Sequence, residues 1–142
     1  MSGRGKYFVK DHKPFQMETY SNYPQPLLDA MSVTRMVGPK GVLQEGDIRV
    51  TGFSLEPGAF YDDHVHPHPE IYIFLTGTAE CQWGDEGFTA EPGTVTHCPP
   101  NLPHAMRVTS DEPLTAYIIG WAPGGDQEAL NSPSVLLGGG RL

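Results

Sequence analysis

Glycine, proline and aspartate cut residues 27–121 into short apolar segments that recur about every ten residues. The segments are Met31–Val37, Asp47–Leu55, Glu70–Thr76, Thr78–Trp83, Thr94–Cys98, His104–Thr109 and Leu114–Trp121. Seventeen glycines and fourteen prolines in 142 residues leave little room for long helices, and no long window shows a 3.6-residue apolar stripe. The pattern predicts one all-β domain, an antiparallel sandwich or barrel, over residues 27–121. Residues 1–26, polar and carrying prolines 14, 24 and 26, are read as an N-terminal arm or lid. Residues 122–142 are read as a Gly/Pro-rich loop-like tail, with Val135, Leu136 and Leu137 as anchor points.

Alternation assigns faces inside two of these segments, because successive side chains on a strand point to opposite sides. In EIYIFLTG, Glu70, Tyr72 and Phe74 share one face, and Ile71, Ile73 and Leu75 share the other. An acid in line with two aromatics predicts a cavity wall; the aliphatic face predicts sheet packing. In PLTAYIIGW, Thr115, Tyr117, Ile119 and Trp121 share a face, and both faces are apolar enough for a buried strand.

Nine Lys+Arg against seventeen Asp+Glu give a net charge of −8 and no basic cluster. Nucleic acid and an anionic membrane surface, which need clustered positive charge, are excluded as main partners. The longest apolar run, Ile71–Leu75, is far short of the ~20 residues of a spanning helix. No hydrophobic stretch follows the basic residues of MSGRGKYFVK, so no signal peptide is expected. Two cysteines, Cys81 and Cys98, make no disulfide framework and are read as reduced core residues. Together these features predict a cytoplasmic protein.

The chemistry concentrates in GAFYDDHVHPHPEIYIFLTG, where His64, His66, His68 and Glu70 recur at a period of two. Three imidazoles and a carboxylate on one face are costly to bury alone and favourable around a divalent metal. Pro67 and Pro69 cannot both sit in a regular strand, which predicts a bend that takes His68 out of line. A second signal follows in EPGTVTHCPPNLPHAMRV: a Pro92–Gly93 turn, a strand, a proline-stiffened loop and His104 at a strand start. His97 is read as structural and His12, in the arm, as solvent-facing.

On these residues the chain resembles the cupin family. Gly58, His64, His66, Glu70 and Gly77 fit its first motif at every interval, and Pro92–Gly93 through His104 resembles its second. Arg107, Val108 and Thr109 stand near where that motif usually closes with asparagine. The resemblance implies a double-stranded β-helix (jelly-roll) barrel, a homodimer, and metal ligands at His64, His66, Glu70 and His104. A four-histidine set with His68 in place of Glu70 is the alternative. Three nitrogens and a carboxylate suit Fe(II), Mn(II), Ni(II), Co(II) or Zn(II). Cys81 and Cys98 are not needed as ligands.

A phenol beside a divalent cation can act as a base although its free pKa is about 10. Tyr61 and Tyr72 flank the histidine run and are the candidate catalytic residues. The order Tyr61, His64, His66, Glu70, Tyr72, then His104, is similar to that of cupin lyases that cleave dimethylsulfoniopropionate to acrylate. In that family a metal binds the substrate carboxylate and a tyrosine removes the α-proton. Small cupins with similar motifs also include polyketide cyclases, sugar isomerases and ring-cleaving dioxygenases. The expected activity is therefore metal-dependent, non-redox proton transfer on a small organic molecule, by a lyase, cyclase or isomerase. The alternatives are an Fe(II)-dependent dioxygenase and a non-catalytic ligand-binding cupin. Phe53, Phe60, Tyr72, Phe74, Trp83, Tyr117 and Trp121 are candidate pocket aromatics, which suggest a partly apolar ligand; the expected partner is a small-molecule substrate, aromatic or carboxylate-bearing.

Overall fold

Ten strands form two antiparallel sheets of five in a computed structural model that describes residues 5–9 and 20–142. The first sheet runs in the order β1 (Met31–Val37), β2 (Ile48–Leu55), β9 (Leu114–Trp121), β4 (Glu70–Thr76) and β7 (Val95–Cys98). The second runs β10 (Val135–Leu136), β3 (Phe60–Val65), β8 (His104–Val108), β5 (Ala79–Trp83) and β6 (Glu86–Ala90). Crossovers between strands distant in sequence close the sheets face to face in the cupin barrel arrangement. The inner faces supply the core: Leu55, Phe74, Cys81, Met106 and Leu114 are essentially inaccessible. Burying such a side chain is worth roughly 1.5–3 kcal/mol, which is why alternation fixes the register of each strand.

The seven expected segments appear as β1, β2, β4, β5, β7, β8 and β9. Five further elements do not stand out in the sequence: β3, β6, β10, α1 (Gln25–Ala30) and α2 (Gln127–Asn131). The helices are six and five residues long, too short for an apolar stripe. Asp126 caps α2 by accepting from Ala129 N at 3.1 Å. The tail is not all loop, since Val135 and Leu136 pair with Val65 and His64.

Two expectations about faces are corrected. Ile71 and Ile73 are only half-buried and Leu75 is exposed, so the aliphatic face of β4 is an outer face rather than a packing layer. On β9, Tyr117 is exposed and Thr115, Ile119 and Trp121 are half-buried, whereas Leu114, Ala116 and Ile118 point into the barrel. Among the described residues no second layer covers this sheet. Cys81 and Cys98 are free buried thiols, as expected. No described helix is long and apolar enough to cross a membrane. His12 lies outside the described residues.

Candidate metal centre and active site

β3 and β4 are joined by the bend at residues 66–69 that the two prolines predict. β3 itself carries a bulge: Tyr61 pairs with Met106 and His64 with His104, so Asp62 and Asp63 together oppose Ala105 alone. The extra residue turns both Tyr61 and His64 inward although they are three apart. Their rings stack at 3.7 Å. Asp63 then faces Arg141, which donates to both its carboxylate oxygens, one at 2.8 Å. On β8, His104 stands between His64 on β3 and Trp83 on β5 in the same row. The proline loop before His104 is tied to the bend by Asn101 N donating to His66 O at 2.9 Å.

His66, Glu70 and His104 converge, each offering a ligand atom within 4.8 Å of the other two, and all three are buried. His66 Nε2 stands 2.8 Å and His104 Nε2 3.7 Å from Glu70 Oε1. Neither approach is aligned as a hydrogen bond, and among the described residues all three atoms lack a hydrogen-bond partner. His64 is not part of this trio, but its ring lies 3.8 Å from that of His104. His68 is also buried, and its Nε2 accepts from Arg49 Nη2 at 2.9 Å, with Glu70 Oε2 at 3.4 Å. His97 is exposed on the outer face and stacks on Trp121.

The ring nitrogens are sorted by backbone carbonyls. His64 Nδ1 donates to Asp62 O at 2.9 Å, His66 Nδ1 to His68 O at 2.8 Å and His104 Nδ1 to Leu102 O at 2.9 Å. A carbonyl only accepts, so each Nδ1 carries a proton, and in the neutral ring each Nε2 keeps the lone pair that a metal takes. Metal-binding histidines are oriented in this way. Three buried ligand atoms without partners are otherwise expensive. The donor set, two or three imidazoles with one carboxylate, therefore fits a divalent metal.

Burial dominates the acid–base character of the site. It pushes the Glu70 carboxyl up, but the His66 imidazole and the nearby ring nitrogens of His104 and His68 outweigh it and hold Glu70 well below the usual carboxylate range. Burial pushes His66 down, yet Glu70 reverses this and raises it. Burial and His104 hold His64 well below its ordinary value, and burial lowers His68. Tyr72 is raised by burial and Glu70, and Tyr61 by burial and the tyrosines around it.

Both candidate tyrosines are inside. Tyr72 lines a cavity of about 30 Å³ together with Tyr61, His64, His66, Glu70 and Phe53. Tyr61 Oη shares a hydrogen bond with Tyr23 Oη, whereas no hydrogen bond holds Tyr72 Oη among the described residues. Of the other aromatics, Phe53 lines this cavity, Phe74 and Trp83 are core, and Tyr117 and Trp121 lie outside. Phe60 is half-buried under the Arg107 guanidinium.

Sequence reasoning overlooked Tyr20, Tyr23, Arg35 and Arg49. The last had a signal: Arg49 is in phase with Thr51, Phe53 and Leu55 on β2, where the latter two are apolar and buried.

The model of the dimethylsulfoniopropionate lyase family matches residues 9–116, more than half of the chain. None of the curated proteins matches the sequence. The crystal structure of the dimethylsulfoniopropionate lyase DddQ from Ruegeria pomeroyi DSS-3 is similar at 26% identity and a TM-score of 0.74, over 89% of this chain and 61% of that one. A structure from the work on dimethylsulfoniopropionate lyases RdDddP and RnDddQII is similar at 23% identity and a TM-score of 0.71, over 82% of this chain and 60% of that one. A cupin sugar phosphate isomerase from Silicibacter pomeroyi DSS-3 is similar at 25% identity and a TM-score of 0.59, over 71% and 67% of the two chains. The chain thus spans about three-fifths of the length of the two lyase structures.

Proposed function

The chain belongs to the dimethylsulfoniopropionate lyase family, and from that premise we propose that it eliminates dimethyl sulfide from dimethylsulfoniopropionate at the His66–Glu70–His104 centre. His64 is the fourth metal ligand in this reading, and His68 is not a ligand. The observation that carries it is the trio His66 Nε2, Glu70 Oε1 and His104 Nε2, buried without hydrogen-bond partners among the described residues, of which His66 and Glu70 line the same cavity as Tyr72, with His64 beside them.

A divalent ion held there supplies positive charge that binds a carboxylate and acidifies the carbon next to it. The remaining work falls to the chain. Tyr72 Oη takes a proton from the carbon beside the carboxylate. The C–H electron pair becomes the new carbon–carbon double bond, the far carbon–sulfur bond breaks, and sulfur leaves with that bond's pair. The products are acrylate and dimethyl sulfide. Burial and Glu70 hold the Tyr72 phenol protonated; a divalent ion held by the ligand set would favour the ionised phenol, the form that accepts the proton. Tyr61, hydrogen-bonded to Tyr23, keeps the aromatic wall in place, and Tyr72 returns the proton to solvent as the products leave. Phe53, Tyr61 and Tyr72 form an aromatic lining that excludes water. Residues 27–121 are the catalytic barrel in this reading; most of the arm or lid expected over residues 1–26 lies outside the described residues. A homodimer belongs to the same reading, and light scattering tests it.

The test is gas chromatography of dimethyl sulfide from the purified chain supplied in turn with Mn(II), Zn(II), Fe(II), Ni(II) or Co(II). Release is expected, with Tyr72→Phe lowering turnover at least a hundredfold and keeping the bound metal. Metal-loaded chain that releases no dimethyl sulfide overturns the reading. Oxygen uptake with aromatic diols would transfer the site to the dioxygenase class.

A further inference from the structure

A row across the first sheet joins β2, β9 and β4: Arg49 pairs with Gly120, and Gly120 with Glu70. Arg35 on β1 pairs with Thr51, the next inward residue of β2. Two guanidinium groups therefore enter the barrel from neighbouring strands, and both residues are buried. Arg35 Nε donates to Thr51 Oγ1 at 3.3 Å. Arg49 uses Nη2 on the neutral His68 ring, and its Nη1 is buried without a hydrogen-bond partner among the described residues.

The two arginines line a second cavity of about 40 Å³, with Thr51, Ser134, Tyr20 and Glu70. Tyr20, Glu70 and Ser134 also border the cavity that holds Tyr72, so the two compartments adjoin. The space suits two or three waters or one carboxylate group. Hydroxyl donors surround it. Burial, with Arg49 beside it, lowers Arg35 to about 10, and burial lowers Arg49 too. Glu70 is the acid that both feel: its Oε1 faces His66 and His104, its Oε2 lies 3.4 Å from His68 Nε2, and neither oxygen pairs directly with Arg49. A buried guanidinium N–H such as Arg49 Nη1 is normally matched by an acceptor, most often a planar carboxylate fitting the fork.

We infer that Arg49, backed by Arg35, is an anion anchor that receives the carboxylate of the bound small molecule through Nη1. The anchor sets the direction in which a zwitterionic substrate lies. Its carboxylate reaches from the metal centre into the adjoining arginine compartment, one oxygen to each, and its cationic leaving group is repelled toward Phe53, Tyr61 and Tyr72, whose ring faces attract cations. This orientation rests on the elimination reading; the anchor itself does not.

Titration calorimetry of chelator-treated protein with propionate and with its uncharged isostere propionamide tests the anchor without turnover. Propionate is expected to bind wild-type protein at least tenfold more tightly than propionamide. Arg49→Gln should weaken propionate at least tenfold, and Arg49→Lys should recover part of that loss, with circular dichroism confirming that each variant is folded. Equal binding of the two probes overturns the proposal. So does propionate binding that appears only after metal is added, which would place the carboxylate on the metal alone. The wild-type comparison stands even if no variant folds. Failure to release dimethyl sulfide, with propionate still bound by Arg49, would sink the lyase reading and leave the anchor intact.

Discussion

Gly120 is the narrowest point of the row that links Arg49 to Glu70, and replacing it by alanine measures how tightly that row is built. A Cβ there would lie 3.0 Å from His68 Cδ2 and 3.3 Å from His68 Nε2, with Leu130 Cδ1 at an ordinary 3.7 Å. His68 cannot swing away freely, because Arg49 Nη2 holds its Nε2 and its own carbonyl accepts from His66 Nδ1. Overpacking of this kind costs about 1–3 kcal/mol. The reduced entropy of the unfolded chain gives back about 0.4–1 kcal/mol. The net expectation is a loss of about 1–2 kcal/mol, or roughly 3–8 °C in Tm for a chain of this size. The assay is thermal unfolding followed by circular dichroism in chelator, so that metal linkage does not enter. In a His68→Ala background the collision disappears, and Gly120→Ala should become neutral or stabilising. An equal loss in both backgrounds would refute the argument, as would a Tm unchanged in the wild-type background. Gly46→Ala serves as the control, since its Cβ would meet only the end of the flexible Gln127 side chain.

Further expectations follow from burial. His64 is held well below 6.5 in the fold. Its neutral form stabilises the protein fully above about pH 6.5, and this contribution is lost as the pH falls through the folded value. Replacing His64 by Asn should remove up to about 1.4 kcal/mol per pH unit from the acid-side slope of metal-free stability, read from denaturant unfolding at pH 7, 6 and 5; identical slopes would contradict it. Burial pushes the Cys81 thiol up to about 12 and raises Cys98, so a thiol-reactive chromogenic disulfide should label neither in the folded protein and both after unfolding. Arg141→Ala leaves buried Asp63 without its bidentate partner. Because the arginine is more than a third exposed, the expected cost is only about 1 kcal/mol, visible as a small drop in Tm.

The strands legible in the sequence are those where apolar residues alternate or cluster, such as β2, β4 and β9. The strand that carries His64 was not, because Tyr-Asp-Asp-His offers no apolar alternation and its register is broken by the bulge. The histidines and Glu70 were readable because their spacing encodes convergence once a bend is granted at the prolines. Tyr20 was hidden in an irregular stretch; its bridge to Ser134 in the tail and its stack on Tyr23 bring it over the site. Arg49 was hidden for the opposite reason. It lies in an obvious strand, and a charged residue at a strand end reads as solvated until its phase with Phe53 and Leu55 is followed inward.

The doubled aspartates of β3 have an effect on tolerance to length change. Shortening this strand by one residue would leave Tyr61 and His64 two apart, so an unbulged ladder would still send both rings inward. What such a deletion would remove is a grip on the end of the chain: the Asp62 carboxylate accepts from Gly140 N, and the Asp63 carboxylate clasps Arg141. The surplus residue thus works as a fastening, and a one-codon deletion there should free the terminus before it disturbs the histidines.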